Sequence, residues 1–220
     1  MTYDNTQIQF PGLGLEIDPP SSIELFGGKF SIHFYGIIIC FGLILAVIYG
    51  MRRCKQFGLK QDDIFDGILI ILPIAIICAR LYYCAFKWEN YVENPIKILY
   101  IWEGGLAIYG GVIGAVVSLI AFCKIKKIKL GAILDLVLLG FLIGQSIGRW
   151  GNFFNREAFG SVTDNFLRMG LYNEEAGEFL FYHPTFLYES LWNAVGFALL
   201  HMLSKRRKYD GQVALCYAAW

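Results

Sequence analysis

Apolar runs long enough to cross a hydrocarbon core, which takes about 20 residues each, recur along this chain and leave it few ways to fold. Hydropathy places the first near Phe30–Met51, the second near Ile64–Phe86 and the third over Gly105–Cys123. A fourth covers Leu130–Trp150, a fifth Phe186–Leu203, and a sixth begins at Gln212 and reaches Trp220. Of the 220 residues, 56% are hydrophobic and 17% charged, where a soluble domain carries about a quarter charged residues. The expectation is an all-α polytopic membrane protein with five complete transmembrane helices and a partial sixth, built as one membrane-embedded domain over residues 1–220. Residues 1–29, polar and rich in Pro and Gly, are expected as an external N-terminal segment without the basic start of a cleavable signal. Residues 151–185 are expected as an external loop or arm.

The connections sort by charge. Arg52, Arg53, Lys55 and Lys60 separate the first two spans; Lys124, Lys126, Lys127 and Lys129 separate the third and fourth; Lys205, Arg206, Arg207 and Lys208 follow the fifth. The alternate connections are poorer, with Lys87 and Lys97 in one and Arg156 and Arg168 in the other. Basic residues gather on the cytoplasmic side, so the N-terminus is expected outside. The basic residues form no continuous surface, which argues against a nucleic-acid partner. The six cysteines (40, 54, 78, 84, 123 and 216) lie mostly in or beside apolar runs with no C-x-x-C pair, as packing thiols do, so neither a metal nor a disulfide is expected.

With that orientation the fourth span ends at the external interface in Gly148-Arg149-Trp150-Gly151-Asn152-Phe153-Phe154-Asn155-Arg156-Glu157. Gly140, Gly144 and Gly148 recur every four residues and share a helix face where another backbone can pack closely. Gln145, Arg149 and Asn152 line up beside that face. A charge at membrane depth is costly and usually faces a polar interior or a substrate path. Arginine suits a phosphate, because its planar fork gives two parallel hydrogen bonds. Tyr35, Trp102 and Trp150 at the same depth are equally compatible with an interfacial aromatic belt, which does not account for Arg149 with Asn152, Asn155 and Glu157.

Other polar groups reach the same face. In Gly104-Gly105-Leu106-Ala107-Ile108-Tyr109-Gly110-Gly111, Gly104 and Gly105 could leave amides free for an anion, whereas Gly110 and Gly114 suit helix packing. Tyr109 offers a phenol that could donate a hydrogen bond but would make a poor base at its ordinary pKa of about 10. Arg80 either binds a ligand or snorkels to the headgroups. His33 stands two residues from Tyr35, where a lone histidine is more often interfacial than catalytic. Pro184, after His183, marks the start of a helix, and Glu189 just inside it needs a cationic partner such as Arg149.

Residues 148–160 resemble the G-R-x-G-N-F-x-N-x-E-x-x-G signature of bacterial prolipoprotein diacylglyceryl transferases. The elements His33-Phe34-Tyr35-Gly36, Trp102-Glu103-Gly104-Gly105 and His183-Pro184-Thr185-Phe186-Leu187-Tyr188-Glu189 match that family in the same order. The resemblance implies a seven-span, multi-pass enzyme of the bacterial cytoplasmic (inner) membrane with its active site toward the external, periplasmic face. It implies transfer of the diacylglyceryl group of phosphatidylglycerol to the lipobox cysteine thiol of a preprolipoprotein, within membrane lipid and with no metal or organic cofactor. Carried onto matching positions, Arg149 would grip the lipid phosphate, Asn152 and Glu157 would shape the headgroup site, and Tyr35 would lie in the same cavity. The expected catalytic set is Arg149, Tyr109, Tyr35 and Glu157; the expected phosphatidylglycerol contacts are Arg149, Asn152, Asn155, Gly104, Gly105, His33, Arg80 and Glu189.

The physics fits. A thiol attacks well only as thiolate, whose ordinary pKa is about 8.5. As the glyceryl C–O bond breaks, charge builds on the departing phosphate, where a preorganised arginine acts as an oxyanion hole does. Two departures stand out. Family members often carry His, given a base role, where this chain has Tyr109, so either Tyr109 orients substrate or deprotonation happens elsewhere. The sequence stops at Trp220, before the family's R-x-x-x-E element and seventh span, which is expected of a truncated homologue. A catalytically impaired homologue is therefore one alternative. A small-molecule membrane transporter is another, although charges clustered at one interface and the lack of an internal repeat argue against it.

Overall fold

The computed structural model describes residues 7–25, 30–173 and 176–220. Within the N-terminal segment 1–29, residues 1–6 and 26–29 thus lie outside the described residues. The helices are α1 (Phe34–Arg53), α2 (Gln61–Phe86), α3 (Ile108–Lys126), α4 (Leu130–Asn155), α5 (Thr185–Ser204) and α6 (Gln212–Ala219). The strands are β1 (Ile8–Phe10), β2 (Leu15–Ile17), β3 (Ser22–Leu25), β4 (Phe30–His33), β5 (Met169–Asn173) and β6 (Glu178–Tyr182).

Among the described residues, four helices are long and apolar enough to cross a membrane: α1 with its 3-10 extension to Phe57, α2, α3 and α4. Their apolar side chains are largely left outward, Phe41, Ile44, Leu69, Ile77 and Val117 among them, as lipid-facing residues must be. A helix suits that setting because it satisfies every interior backbone group within itself. The chain is therefore a mostly helical polytopic membrane protein. The helix α5 has 20 residues, but Tyr188, Glu189, Ser190 and Asn193 make it more polar than those four. The all-α expectation is corrected by two small antiparallel sheets. Strands of three to five residues leave no mark on a scan for twenty-residue apolar runs, which is why they escaped it.

The chain divides into two compact units, the boundaries of which cut through α1 and α4. The first comprises residues 1–50, 137–208 and 212–220. Its four-stranded sheet runs β2-β1-β5-β6, with Ile8 opposite both Ile17 and Leu171. The β1–β2 turn closes through Leu13 N–H to Phe10 O (3.0 Å), and Gly14 takes the left-handed φ of 62° that an ordinary side chain would resist. Pairing of β1 with β5 joins the N-terminal segment to the 151–185 arm. Ile8, Phe10, Met169, Leu171 and Tyr182 of this sheet pack on Phe153 of α4 and Phe186 of α5. Leu171 is fully buried, so its truncation to Ala would cost about 2–5 kcal/mol.

In the same unit the glycine face of α4 meets α1. A Cβ on Gly140 would touch Ala46 Cβ at 3.5 Å, and one on Gly42 would touch Ile147 at 3.4 Å. Between α4 and α5, Ser190 Oγ donates to Ser146 O (2.7 Å) and Ser146 Oγ to Ser190 O (2.9 Å). Such exchanges hold helices together where lipid offers no competing partner. Trp150 Nε1 donates to Ser190 Oγ as well (3.2 Å).

The second unit comprises residues 51–136 and 209–211. The helices α2 and α3 run antiparallel through small residues. A Cβ on Gly110 would come within 2.4 Å of Tyr82 Cβ, and one on Gly114 within 2.5 Å of Cys78 Cβ. Those glycines are packing residues, as their spacing of four suggests. At the basic end Lys126 pairs with Asp66 (2.5 Å) and Lys129 with Asp210 (3.2 Å), and the buried Asp135 accepts from Gly211 N–H (2.9 Å).

Candidate functional site

The signature residues form the end of α4 and the turn that stops it. Arg156 N–H donates to Phe153 O (3.1 Å) and Glu157 N–H to Asn152 O (3.0 Å). Those two bonds, with Arg156 at φ 52°, make a Schellman stop. Glycine normally fills that left-handed position, so a large side chain there is unusual. Ala158 is also left-handed (φ 52°). Two reversals on either side of Glu157 fold it back on the helix. Its Oε1 accepts from Asn152 Nδ2 (3.0 Å) and Asn155 Nδ2 (3.3 Å).

One turn earlier Arg149 forms an ion pair with Glu189 of α5. The two side chains are 36% and 46% exposed, so the pair adds only about 0–1 kcal/mol of stability. Among the described residues Glu189 is the guanidinium's one bonded partner, through Nη2. Start signals place Glu189: Pro184 caps α5, and Leu187 N–H and Tyr188 N–H return to its carbonyl. His183 Nδ1 and Tyr188 Oη lie 3.3 Å apart. Its backbone bonds Gly160 and Ser161.

Tyr35, in the first turn of α1, lays its ring on Gly151, where a Cβ would sit 2.7 Å from Cδ2. His33 is exposed in β4, opposite Ser22. Arg149, Asn152, Asn155, Glu157, Glu189, Tyr35 and His33 therefore all belong to the first unit. Arg80, Gly104, Gly105 and Tyr109 belong to the second.

Arg80 does not snorkel; it is 5% exposed. Nε donates to Ile98 O (2.9 Å), Nη1 to Gly104 O (2.5 Å) and Gly105 O (3.0 Å), and Nη2 to Lys97 O (2.7 Å) and Tyr100 O (3.2 Å). Five bonds match the five N–H groups of the fork. Gly104 and Gly105, at φ 85° and 76°, turn their carbonyls toward it. Gly104 N–H itself donates to Ile101 O (3.3 Å). Arg80 also lies over the Tyr91 ring (5.5 Å), and with Tyr83, Lys97 and the two glycines it lines a cavity of about 200 Å³. Burial pushes the Tyr91 phenol above its ordinary value, aided by Cys84 and opposed by Arg80. Tyr109, the second residue of α3, is 74% exposed.

The sequence model of the prolipoprotein diacylglyceryl transferase family matches residues 20–220. This chain belongs to that family. It is 42% identical over 203 residues to a phosphatidylglycerol--prolipoprotein diacylglyceryl transferase of Limosilactobacillus reuteri (strain DSM 20016), covering 88% of this chain and 74% of the relative. It is 44% identical over 200 residues to one of Bacillus cytotoxicus, with the same coverage. It is 41% identical over 216 residues to one of Lysinibacillus sphaericus (strain C3-41), covering 94% of this chain and 77% of the relative. Two features of this prolipoprotein diacylglyceryl transferase family member escaped sequence reasoning. The β1–β5 pairing was hidden by short strands. The burial of Arg156 was hidden because a lone arginine after a span reads as a loop charge.

Proposed function

We propose that this chain transfers the diacylglyceryl group of phosphatidylglycerol to the lipobox cysteine of a preprolipoprotein. The observation that carries the reading is Arg149, half-exposed at the end of a membrane-length helix, held by Glu189 one turn before the Asn152–Glu157 turn. The lipid phosphate docks on the free edge of the Arg149 fork. Asn152 and Asn155 fix Glu157, whose Oε2 is left to receive a headgroup hydroxyl. Tyr35 borders the same end of α4. The cysteine sulfur attacks the glyceryl carbon that bears the phosphate ester. A C–S bond forms, the C–O bond breaks, and glycerol phosphate leaves with the bonding electron pair. Arg149 acts where that charge grows. The thiol proton passes to a base, and Tyr109 orients the incoming peptide through its hydroxyl. Arg80 holds the loop that carries Gly104 and Gly105, and His33 lies at the headgroup margin.

The same reading takes residues 1–220 as one membrane-embedded domain of the bacterial inner membrane. It counts α5 as a fifth span and α6 as part of a sixth, with the N-terminus and the site on the external face, as the basic connections support. No metal or organic cofactor enters. The test is mass spectrometry of a lipobox peptide incubated with the full chain in vesicles. A diacylglyceryl thioether should form with phosphatidylglycerol and fail to form with phosphatidylethanolamine alone. No thioether, or equal yield from both lipids, overturns the proposal.

A further inference from the structure

Inside the signature turn sits a guanidinium that the transfer chemistry does not use. Arg156 is 2% exposed. Its Nη1 donates to Phe154 O (3.0 Å), and its Nη2 donates to Pro19 O (2.8 Å) and to Asp18 Oδ1 (3.1 Å), 138 residues away in the chain. One side chain thus ties the N-terminal segment to the turn.

Stability alone does not account for an arginine at this place. Burying a guanidinium is costly, and its carboxylate partner Asp18 is 66% exposed, where an ion pair returns little stability. The backbone is left-handed at this residue (φ 52°), which favours glycine. Both considerations point away from arginine, yet its donors are aimed at three oxygens that bracket the turn from two sides. The next residue is Glu157, whose Oε1 gathers the amides of Asn152 and Asn155.

We propose that Arg156 is a positioning residue for the lipid half of the reaction. Its guanidinium clamps the segment at Asp18 and Pro19 to the end of α4 and so fixes the Asn152–Asn155–Glu157 set against the phosphatidylglycerol headgroup. This rests on the transfer reading above. The clamp touches neither the reacting carbon nor the thiol; it acts through Glu157 and its two amides. Its loss shows on the lipid and not on the peptide.

The experiment compares the parent chain with Arg156→Gly, which keeps the left-handed backbone and removes the clamp. Phosphatidylglycerol is diluted in phosphatidylcholine vesicles, and KM is read separately for the lipid and a lipobox peptide. A merely smaller folded fraction lowers kcat and leaves both KM values alone. Loss of positioning raises KM for phosphatidylglycerol at least about fivefold and changes KM for the peptide less than about twofold. Asp18→Asn, which keeps the Pro19 bond, gives a smaller shift in the same direction. Unchanged lipid KM in Arg156→Gly overturns the proposal. If the parent makes no thioether, the transfer reading is what fails, and amide exchange then scores the clamp. Exchange at Glu157 and across residues 15–18 about tenfold faster in Arg156→Gly supports it, and parent-like exchange at those amides overturns it.

Discussion

Adding one methyl group at Gly151 should reach the chemistry through Tyr35. A Cβ there would stand 2.7 Å from Tyr35 Cδ2, 3.2 Å from Cε2 and 3.4 Å from Cγ, where ordinary contact begins at 3.4 Å. The ring must therefore retreat by about 0.7 Å, an overpacking strain of about 1–3 kcal/mol. Catalytic groups misplaced by about 1 Å lose on the order of a hundredfold in rate. For Gly151→Ala the expectation is a fall of about ten- to a hundredfold in kcat/KM, equivalent to about 1.4–2.7 kcal/mol of barrier. Gly144 provides the control, since a Cβ there meets nothing within 4 Å. Gly144→Ala should keep the parent's rate. Thioether formation in phosphatidylglycerol vesicles, with thermal unfolding of both variants, measures the two effects. Full activity in Gly151→Ala would refute the placement of Tyr35 in the site.

Three further outcomes follow from the second unit. Arg80→Met strips one donor from each of five carbonyls, and a buried carbonyl left without its donor costs about 1–3 kcal/mol; limited proteolysis should cut residues 95–105 faster, and a parent-like pattern would show the loop stands without it. Burial favours the neutral Tyr91 phenol, so its contribution is complete below pH 10.0, the ordinary value, and fades as pH rises through the raised one. The tyrosinate difference spectrum between parent and Tyr91→Phe should show ionisation above that pH, and a midpoint at or below it refutes the burial argument. Tyr109→Phe should lower turnover more than Tyr109→His, by at least about tenfold, because the hydroxyl is the polar atom offered there; parent-like turnover in the Phe variant removes Tyr109 from the chemistry.

What the sequence disclosed follows from the length scale of each signal. Helices of 19 to 26 residues announce themselves by apolar length. The faces of Gly140 and of Gly110 and Gly114 follow from a spacing of four. The need of Glu189 for a cation pointed to Arg149, and the pair forms. The sheet was illegible because β1 and β5 are three and five residues long and lie more than half the chain apart. Arg80 carries no sequence mark of its commitment, which depends on Gly104 and Gly105 turning their carbonyls inward. Arg156 misled for a related reason: its role is set by where Asp18 and Pro19 come to rest, a fact of tertiary structure.

In the proposed mechanism the Arg149 guanidinium receives the phosphate that leaves. Turnover of Arg149→Ala, measured beside the parent in phosphatidylglycerol vesicles with insertion of both verified, tests it most directly. A loss of at least about a hundredfold with insertion intact is the expected result. Turnover equal to the parent's would contradict that role for Arg149.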